Sequence, residues 1–230
     1  MSVTSGNSDR SASKASTRSS RHSPEQARRE IADAAVQFLS SHAFRDLTVG
    51  ELMAQTTLSR PAFYQYFHDL HDLLVSLFDE IEAGMRELAN PWIAGEGEPI
   101  AALRASLRGV IESVAEHGTV IRAVYEAAPF DERLEAAWSA FMRRWDDAVT
   151  VRIEAQQQSG LIPPLNARRT ANALNAMDAA VLIAEFGRHP QGDPEAVLDT
   201  LHAIWVGALY GRPPRRIDLL VTDATPGVST

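Results

Sequence analysis

Between residues 24 and 211 apolar side chains recur three and four positions apart, and few stretches alternate with a period of two. A chain patterned this way buries one stripe of each helix rather than one face of a strand, so the body is expected to be all-α. The punctuation agrees. Pro24 follows Ser23 in a first helical turn, where its missing N–H is tolerated, and Ile31, Ala35, Phe38 and Leu39 form that helix's buried stripe. Thr48 stands three residues before Glu51, a capping box for a short second helix. Ser59 and Pro61 open a third, reaching Phe67, and Asp69 caps a fourth that runs to a stop at Asn90-Pro91. Further helices are expected over 98–118, 119–128, 131–158, 166–187 and 193–211, with breaks at Gly118, Pro129, Gly160 with Pro163-Pro164, and Gly187. That makes nine helices and no internal repeat.

At 45% hydrophobic and 23% charged, the 230 residues can build a core and are too apolar to be disordered throughout. There is no Cys, which excludes disulfides, thiol nucleophiles and cysteine-bearing zinc sites. No run approaches the ~18 apolar residues that span a bilayer, and the first residues lack a secretory apolar segment. A cytoplasmic protein with no membrane partner is expected. The seven His include no HExxH pair; His68 and His71 read as a solvated cap. No carboxylate stands beside a nucleophile or a glycine-rich phosphate loop, so no metal or cofactor is implied and catalysis is not expected.

The net charge of −8 speaks against a protein that coats nucleic acid, but its distribution is uneven. Residues 1–70 sum to +1 and residues 71–230 to −9, and the first 29 hold six basic side chains against two acidic. Nine of the first 23 residues are Ser, with no aromatic, Leu or Ile among them, so this basic segment cannot offset its ordering entropy by burial and is expected to be a flexible arm.

Two helices joined by a few residues over 48–67 form a helix-turn-helix arrangement, whose second member can enter a major groove. Leu52, Leu58, Phe63 and Phe67 can build a small core beneath an outer face of Ser59, Arg60, Ala62, Tyr64 and Gln65. Hydroxyl, amide and basic groups so placed can approach phosphates and base edges. A solvated helix hairpin fits the same spacing. The run Leu47-Thr48-Val49-Gly50-Glu51-Leu52, followed by Ser59-Arg60-Pro61-Ala62-Phe63-Tyr64-Gln65-Tyr66-Phe67, resembles the DNA-binding domain of the TetR family of transcriptional regulators. The resemblance implies a homodimer on a palindromic double-stranded operator, usually as a repressor, released when a small hydrophobic effector fills the C-terminal domain. It puts Thr48 at a phosphate, Ser59, Arg60, Pro61 and Ala62 at the groove, and Tyr64 at backbone phosphate with Tyr66 nearby. Two departures stand out. Thr56-Thr57 replaces the usual Ala-Gly of the turn, and Leu70 replaces a Lys, which removes a phosphate partner; helix-terminal N–H groups could still bind phosphate there, but Asp69 and Asp72 would oppose it. The basic residues from Arg10 to Arg29, Arg28 among them, are expected to compensate.

In the C-terminal half, Trp138, Met142 and Trp145 share one face of a long helix, while Asn172, Asn175 and Asp178 follow at threes on another and Trp205 lies on the last. Amides among aromatics suit a cavity that holds an apolar ligand and orients one polar group. An ordinary core with one interhelical hydrogen bond has the same composition. The segments Trp138-Ser-Ala-Phe-Met-Arg-Arg-Trp145, Ala173-Leu-Asn175-Ala-Met177 and Ile204-Trp205-Val are similar to the ethionamide-resistance branch of the TetR family. That similarity implies a hydrophobic channel lined by Trp138, Met142, Trp145, Asn175 and Trp205; Asn172 joins them on helical spacing alone. Asp178-Ala179 stands where that branch has Asn and Glu, so neither inducer nor operator need be shared.

Small residues on the helix over 166–187, with larger apolar ones there and on the last helix, suggest a four-helix dimer interface built on Ala180, Phe186, Leu198, Leu201 and Leu209. Both helices could instead be internal to a monomer. The expected division is an arm over 1–23, a helix-turn-helix domain over 24–68, a ligand-binding and dimerisation domain over 69–212 and a tail over 213–230. An aromatic-lined enzyme and a helical interaction module without sequence-specific DNA binding are the rival readings.

Overall fold

Local capping chemistry starts most of the helices in the computed structural model, which describes residues 23–211; the expected arm before Ser23 and the tail lie outside the described residues. In the first helix, α1 (Pro24–Leu39), the Ser23 hydroxyl accepts the Gln26 N–H at 3.2 Å and the Gln26 side chain accepts the Ser23 N–H at 2.9 Å. A 3-10 turn at Phe44–Asp46 leads to α2 (Val49–Ala54), which carries the Thr48–Glu51 capping box. After α3 (Arg60–Phe63) come α4 (Leu70–Leu88), α5 (Asn90–Ala94), α6 (Pro99–Ala127), a second 3-10 turn at Ala128–Phe130, α7 (Glu132–Gln158), α8 (Ala167–Phe186) and α9 (Pro194–Leu209). The side chains of Asp69, Glu98, Asp131, Asn166 and Asp193 each accept N–H bonds from the first turn that follows. Such caps contribute about 1 kcal/mol apiece.

The described residues hold nine α-helices, the expected number, but three are drawn differently. Asn90-Pro91 begins α5 instead of only ending α4, because proline is tolerated in a first turn, and Gly95 at φ 81° ends it. Gly118 does not divide α6, which runs unbroken for 29 residues. α3 is a single turn of four residues; beyond it the N–H groups of Tyr66 and Phe67 both reach back to the Phe63 carbonyl at 3.0 Å.

α6 is the central post, with α4, α5, α7, α8 and α9 packed round its buried Leu103, Leu107, Ile111, Val114, Val120, Ile121 and Val124. In the head of α1 to α3, Ile31, Leu52 and Phe63, with Phe67 just beyond, are buried and continuous with the core of the body. Buried Arg122 of α6 joins the two: Nε donates to the Gly187 carbonyl at 2.6 Å, one terminal nitrogen to the Leu39 carbonyl at 3.3 Å and the other to Glu126 at 3.1 Å.

Most of the larger apolar groups of α8 and α9 face inward, Ile204 of α9 being the exception at 43% exposed. Phe186, Leu198, Leu201 and Leu209 are all at most 1% exposed inside their own subunit, so they cannot supply area to a second copy, contrary to the expectation from composition. Ala180 is exposed, on an outer stripe of small residues with Ala173, Ala176 and Ala184 of α8 and Ala203, Gly207 and Ala208 of α9. Large groups filling the core while small ones face out is a different solution for two helices whose apolar residues surround the whole circumference.

Candidate functional site

The head presents the outward surface that the spacing predicts. Ser59, Arg60, Pro61, Tyr64 and Gln65 are exposed and Ala62 and Tyr66 half-buried, while the rings of Phe63 and Phe67 meet at a tilt, 5.7 Å apart, in the core beneath. Ser59 sits at the N-cap of α3 without making the capping bond with its hydroxyl. Thr48 is exposed, and its hydroxyl donates to Glu51 at 2.8 Å. Arg28 instead lies half-buried against α4, with its guanidinium 4.9 Å over the Phe67 ring, bonded to the Ser76 hydroxyl and 3.8 Å from Glu80.

The turn between α2 and α3 holds without a glycine because hydroxyls bond its backbone. Thr56 Oγ1 donates to the Met53 carbonyl at 2.9 Å and accepts the Leu58 N–H at 3.2 Å, and both the N–H and the hydroxyl of Thr57 donate to Glu30 of α1. The start of α4 is likewise filled from within the chain. Asp69 accepts the Asp72 N–H at 2.9 Å, Asp72 accepts the His68 N–H at 2.9 Å, and Arg133 of α7 pairs with Asp69 at 3.1 Å. Burial acts to raise the Asp69 pKa, but the Asp72 N–H, then Arg133 and His68, outweigh it and hold the carboxyl at about 2. Leu70 itself offers no charge, and the Asp69 beside it is an ionised carboxylate paired to the body through Arg133.

Inside the body lies a cavity of about 90 Å³, several times the roughly 10–15 Å³ that holds a water. Trp138, Met142, Trp145, Asn175 and Trp205 all line it. Asn172 does not: it is exposed, and its amide donates to Asp146 at 2.9 Å. Asn175 donates to the other oxygen of Asp146 at 2.8 Å, so Asp146 anchors both amides. Met85 and Ala89 bring the far end of α4 into the same wall, and Phe78 of α4 packs against Phe141 at a ring separation of 5.0 Å. Asp178, read from the sequence only as a departure, also lines the cavity and is half-buried. Burial pushes its carboxyl up to about 7, opposed by the Trp205 N–H.

A helix-turn-helix head on an all-α body that encloses an apolar cavity defines a class of regulator in which one chain carries both a DNA-reading surface and a chamber. Residues 103–211 match the family described as "Transcriptional regulator EthR, C-terminal domain". The chain is 32% identical over 184 residues to the HTH-type transcriptional regulator EthR of Mycobacterium tuberculosis strain H37Rv, covering 77% of this chain and 84% of the relative. It is 29% identical over 200 residues to EthR of Mycolicibacterium smegmatis, covering 86% and 92%. The fold is shared with the fatty acid degradation regulator FadR of Bacillus halodurans (TM-score 0.70, 16% identity, 84% of this chain and 100% of that one). It is shared too with AibR, solved with isovaleryl coenzyme A and operator DNA (TM-score 0.63, 20% identity, 81% and 100%). The chain belongs to the TetR family of transcriptional regulators. Among the described residues no helix is long and apolar enough to cross a membrane, and no group of three or more His, Asp and Glu could hold a metal ion.

Proposed function

We propose that the chain is a repressor that binds a palindromic operator as a homodimer and leaves it when a small, largely apolar effector enters the cavity. The observation that carries this reading is that α4 touches both ends of the process. Its first turn is paired to α7 through Asp69 and Arg133 and adjoins α3, and its last turns line the cavity with Met85 and Ala89. An effector that displaces Trp138 or Phe141 displaces their neighbour Phe78 on α4, and with it the head. In a symmetric pair this changes the separation of two α3 surfaces, which must stand about 34–36 Å apart to read half-sites one turn apart. The structure of AibR with an acyl thioester and operator DNA supports the same division of labour.

Footprinting of the purified protein on the DNA upstream of its own gene and its neighbours tests the reading. Tyr64→Ala and Arg60→Ala are each expected to weaken operator binding ten- to a hundredfold, as loss of a good phosphate or base contact costs about 1–3 kcal/mol. Both positions are exposed, so unfolding midpoints should stay put. Binding that survives both substitutions would move the DNA contact off α3, whereas failure of the parent to bind any DNA would leave a helical interaction module as the better account.

The dimer is assigned to the exposed small-residue stripe containing Ala180. Helices approach closely where side chains are small, and two such stripes pair across a two-fold axis. Ala180→Glu is expected to yield a monomer by sedimentation while its thermal midpoint as a monomer remains cooperative, and to abolish operator binding at protein concentrations where the parent saturates. A variant that still sediments as a dimer would move the interface elsewhere.

A further inference from the structure

The wall of the effector cavity is apolar apart from a few groups, and most of those are already engaged. The Ser106 hydroxyl donates to the Ala89 carbonyl at 2.8 Å and accepts the Trp92 N–H at 2.9 Å. The Asn175 amide nitrogen is held by Asp146. Beside the Asn175 amide oxygen, which accepts no hydrogen bond among the described residues, two more groups keep unused capacity. Trp145 Nε1 is buried with no hydrogen-bond partner among the described residues, and Asp178 receives a single donor, the Trp205 N–H, shared between its two oxygens at 3.1 Å each. Among the described residues the lining has no Lys, Arg or His, so Asp178 is an acid without a counter-charge. It shares the chamber with the rings of Trp92, Trp138, Phe141, Trp145 and Trp205.

A buried carboxylate is costly unless a cation and hydrogen-bond donors compensate it, and aromatic faces attract cations in their own right. Resting on the reading of this cavity as the effector site, we infer that the effector is an apolar molecule bearing one protonated amine, its ammonium held by Asp178 and a hydrogen-bond acceptor elsewhere on it meeting the Trp145 N–H. The same acid repels a carboxylate, so fatty acids are poor ligands of this chamber.

The electrostatics around Asp178 give the idea a signature. α9 contributes the uncharged Trp205; the linings from α4, α5, α6 and α7 contribute no titratable group; Asp146 of α7, already bonded to both amides, and Glu82 of α4, paired with Arg144, lie outside the lining. With burial holding the empty-site carboxyl near 7, an arriving ammonium selects its ionised form, and affinity rises as the pH is raised through that range while the amine, of pKa about 10, stays charged.

The experiment uses the full chain and three matched probes, 4-phenylbutylamine, 4-phenylbutanol and 4-phenylbutanoate, with binding measured by calorimetry at pH 6, 7 and 8. The expected result is an amine at least tenfold tighter than the alcohol, an acid weaker than both, and about a tenfold loss of amine affinity between pH 8 and pH 6. Asp178→Asn, which keeps an acceptor for Trp205, should remove the preference and the pH slope, and Trp145→Phe should weaken a probe carrying an added ether oxygen without touching the slope. Alcohol and acid binding as well as the amine, with no effect of Asp178→Asn, would overturn the inference and leave the effector cavity standing. A preference that survives Asp178→Asn would also overturn it. Failure of all three probes to bind would remove the reading of the cavity along with it.

Discussion

Gly118→Ala is expected to lower the thermal unfolding midpoint by about 4–8 °C, a loss of about 2 kcal/mol for a chain of this size. The residue sits in the interior of α6, where alanine is ordinarily preferred to glycine by about 1 kcal/mol. Here the geometry reverses that preference. A Cβ on Gly118 would lie 2.8 Å from the carbonyl carbon of Phe186, closer still to its oxygen, and 3.3 Å from the Gly187 nitrogen. All three are backbone atoms at the end of α8, so no rotamer change relieves the overlap, and overpacking of this kind costs about 1–3 kcal/mol or more. Gly84 of α4 provides the contrast, with nothing within 4 Å of a Cβ built there. Gly84→Ala should raise the midpoint, and equal shifts at the two positions would show that α6 and α8 do not meet as closely as described.

Gly118 also shows where the sequence stops being readable. A glycine inside a helical pattern signals either an end or a close approach, and the choice depends on a segment nearly seventy residues away. Helix starts were legible because a cap is a local device: Thr48 and Glu51, or Asp69 and Asp72, meet within one turn. The same locality made the outer face of the helix-turn-helix legible, since Phe63 and Phe67 lie one turn apart and fix which way Tyr64 points. Asn172 and Asn175 look equivalent on a helix, and only the position of α7 makes one a wall residue and the other a surface clamp on Asp146. For the dimer face, α8 and α9 carry apolar residues on every side, so composition pointed to the leucines when packing had already taken them inside. The faintest signal belonged to Arg122, a lone charge in the run Thr119-Val120-Ile121-Arg122-Ala123-Val124. A buried charge needs partners, but nothing in the run says that they are the ends of two other helices.

That makes Arg122 the sharpest test of how the head is held to the body. The Leu39 and Gly187 carbonyls lie at the C-terminal ends of α1 and α8, where carbonyls lack intrahelical partners and the helix dipole favours a cation. One guanidinium serves both and still reaches Glu126, a fork that an ammonium cannot reproduce. Arg122→Met keeps the stem but orphans two buried carbonyls, each costing about 1–3 kcal/mol, so a loss of about 3 kcal/mol is expected in urea unfolding. Arg122→Lys should recover less than half of it. Because the groups are buried, the effect should persist in 1 M salt, unlike that of the exposed Arg104–Asp199 pair. Amide exchange should locate it: protection at the end of α1, around Phe38 to His42, should fall more than protection in the middle of α6. On the function proposed above, if α1 loses its anchorage while the cavity stays intact, binding of the proposed amine effector should survive in the variant and operator release should decouple from it, since the head would no longer report the state of the body. A stable variant with unchanged protection in α1 would place the junction between head and body wholly on α4 and its Asp69–Arg133 pair.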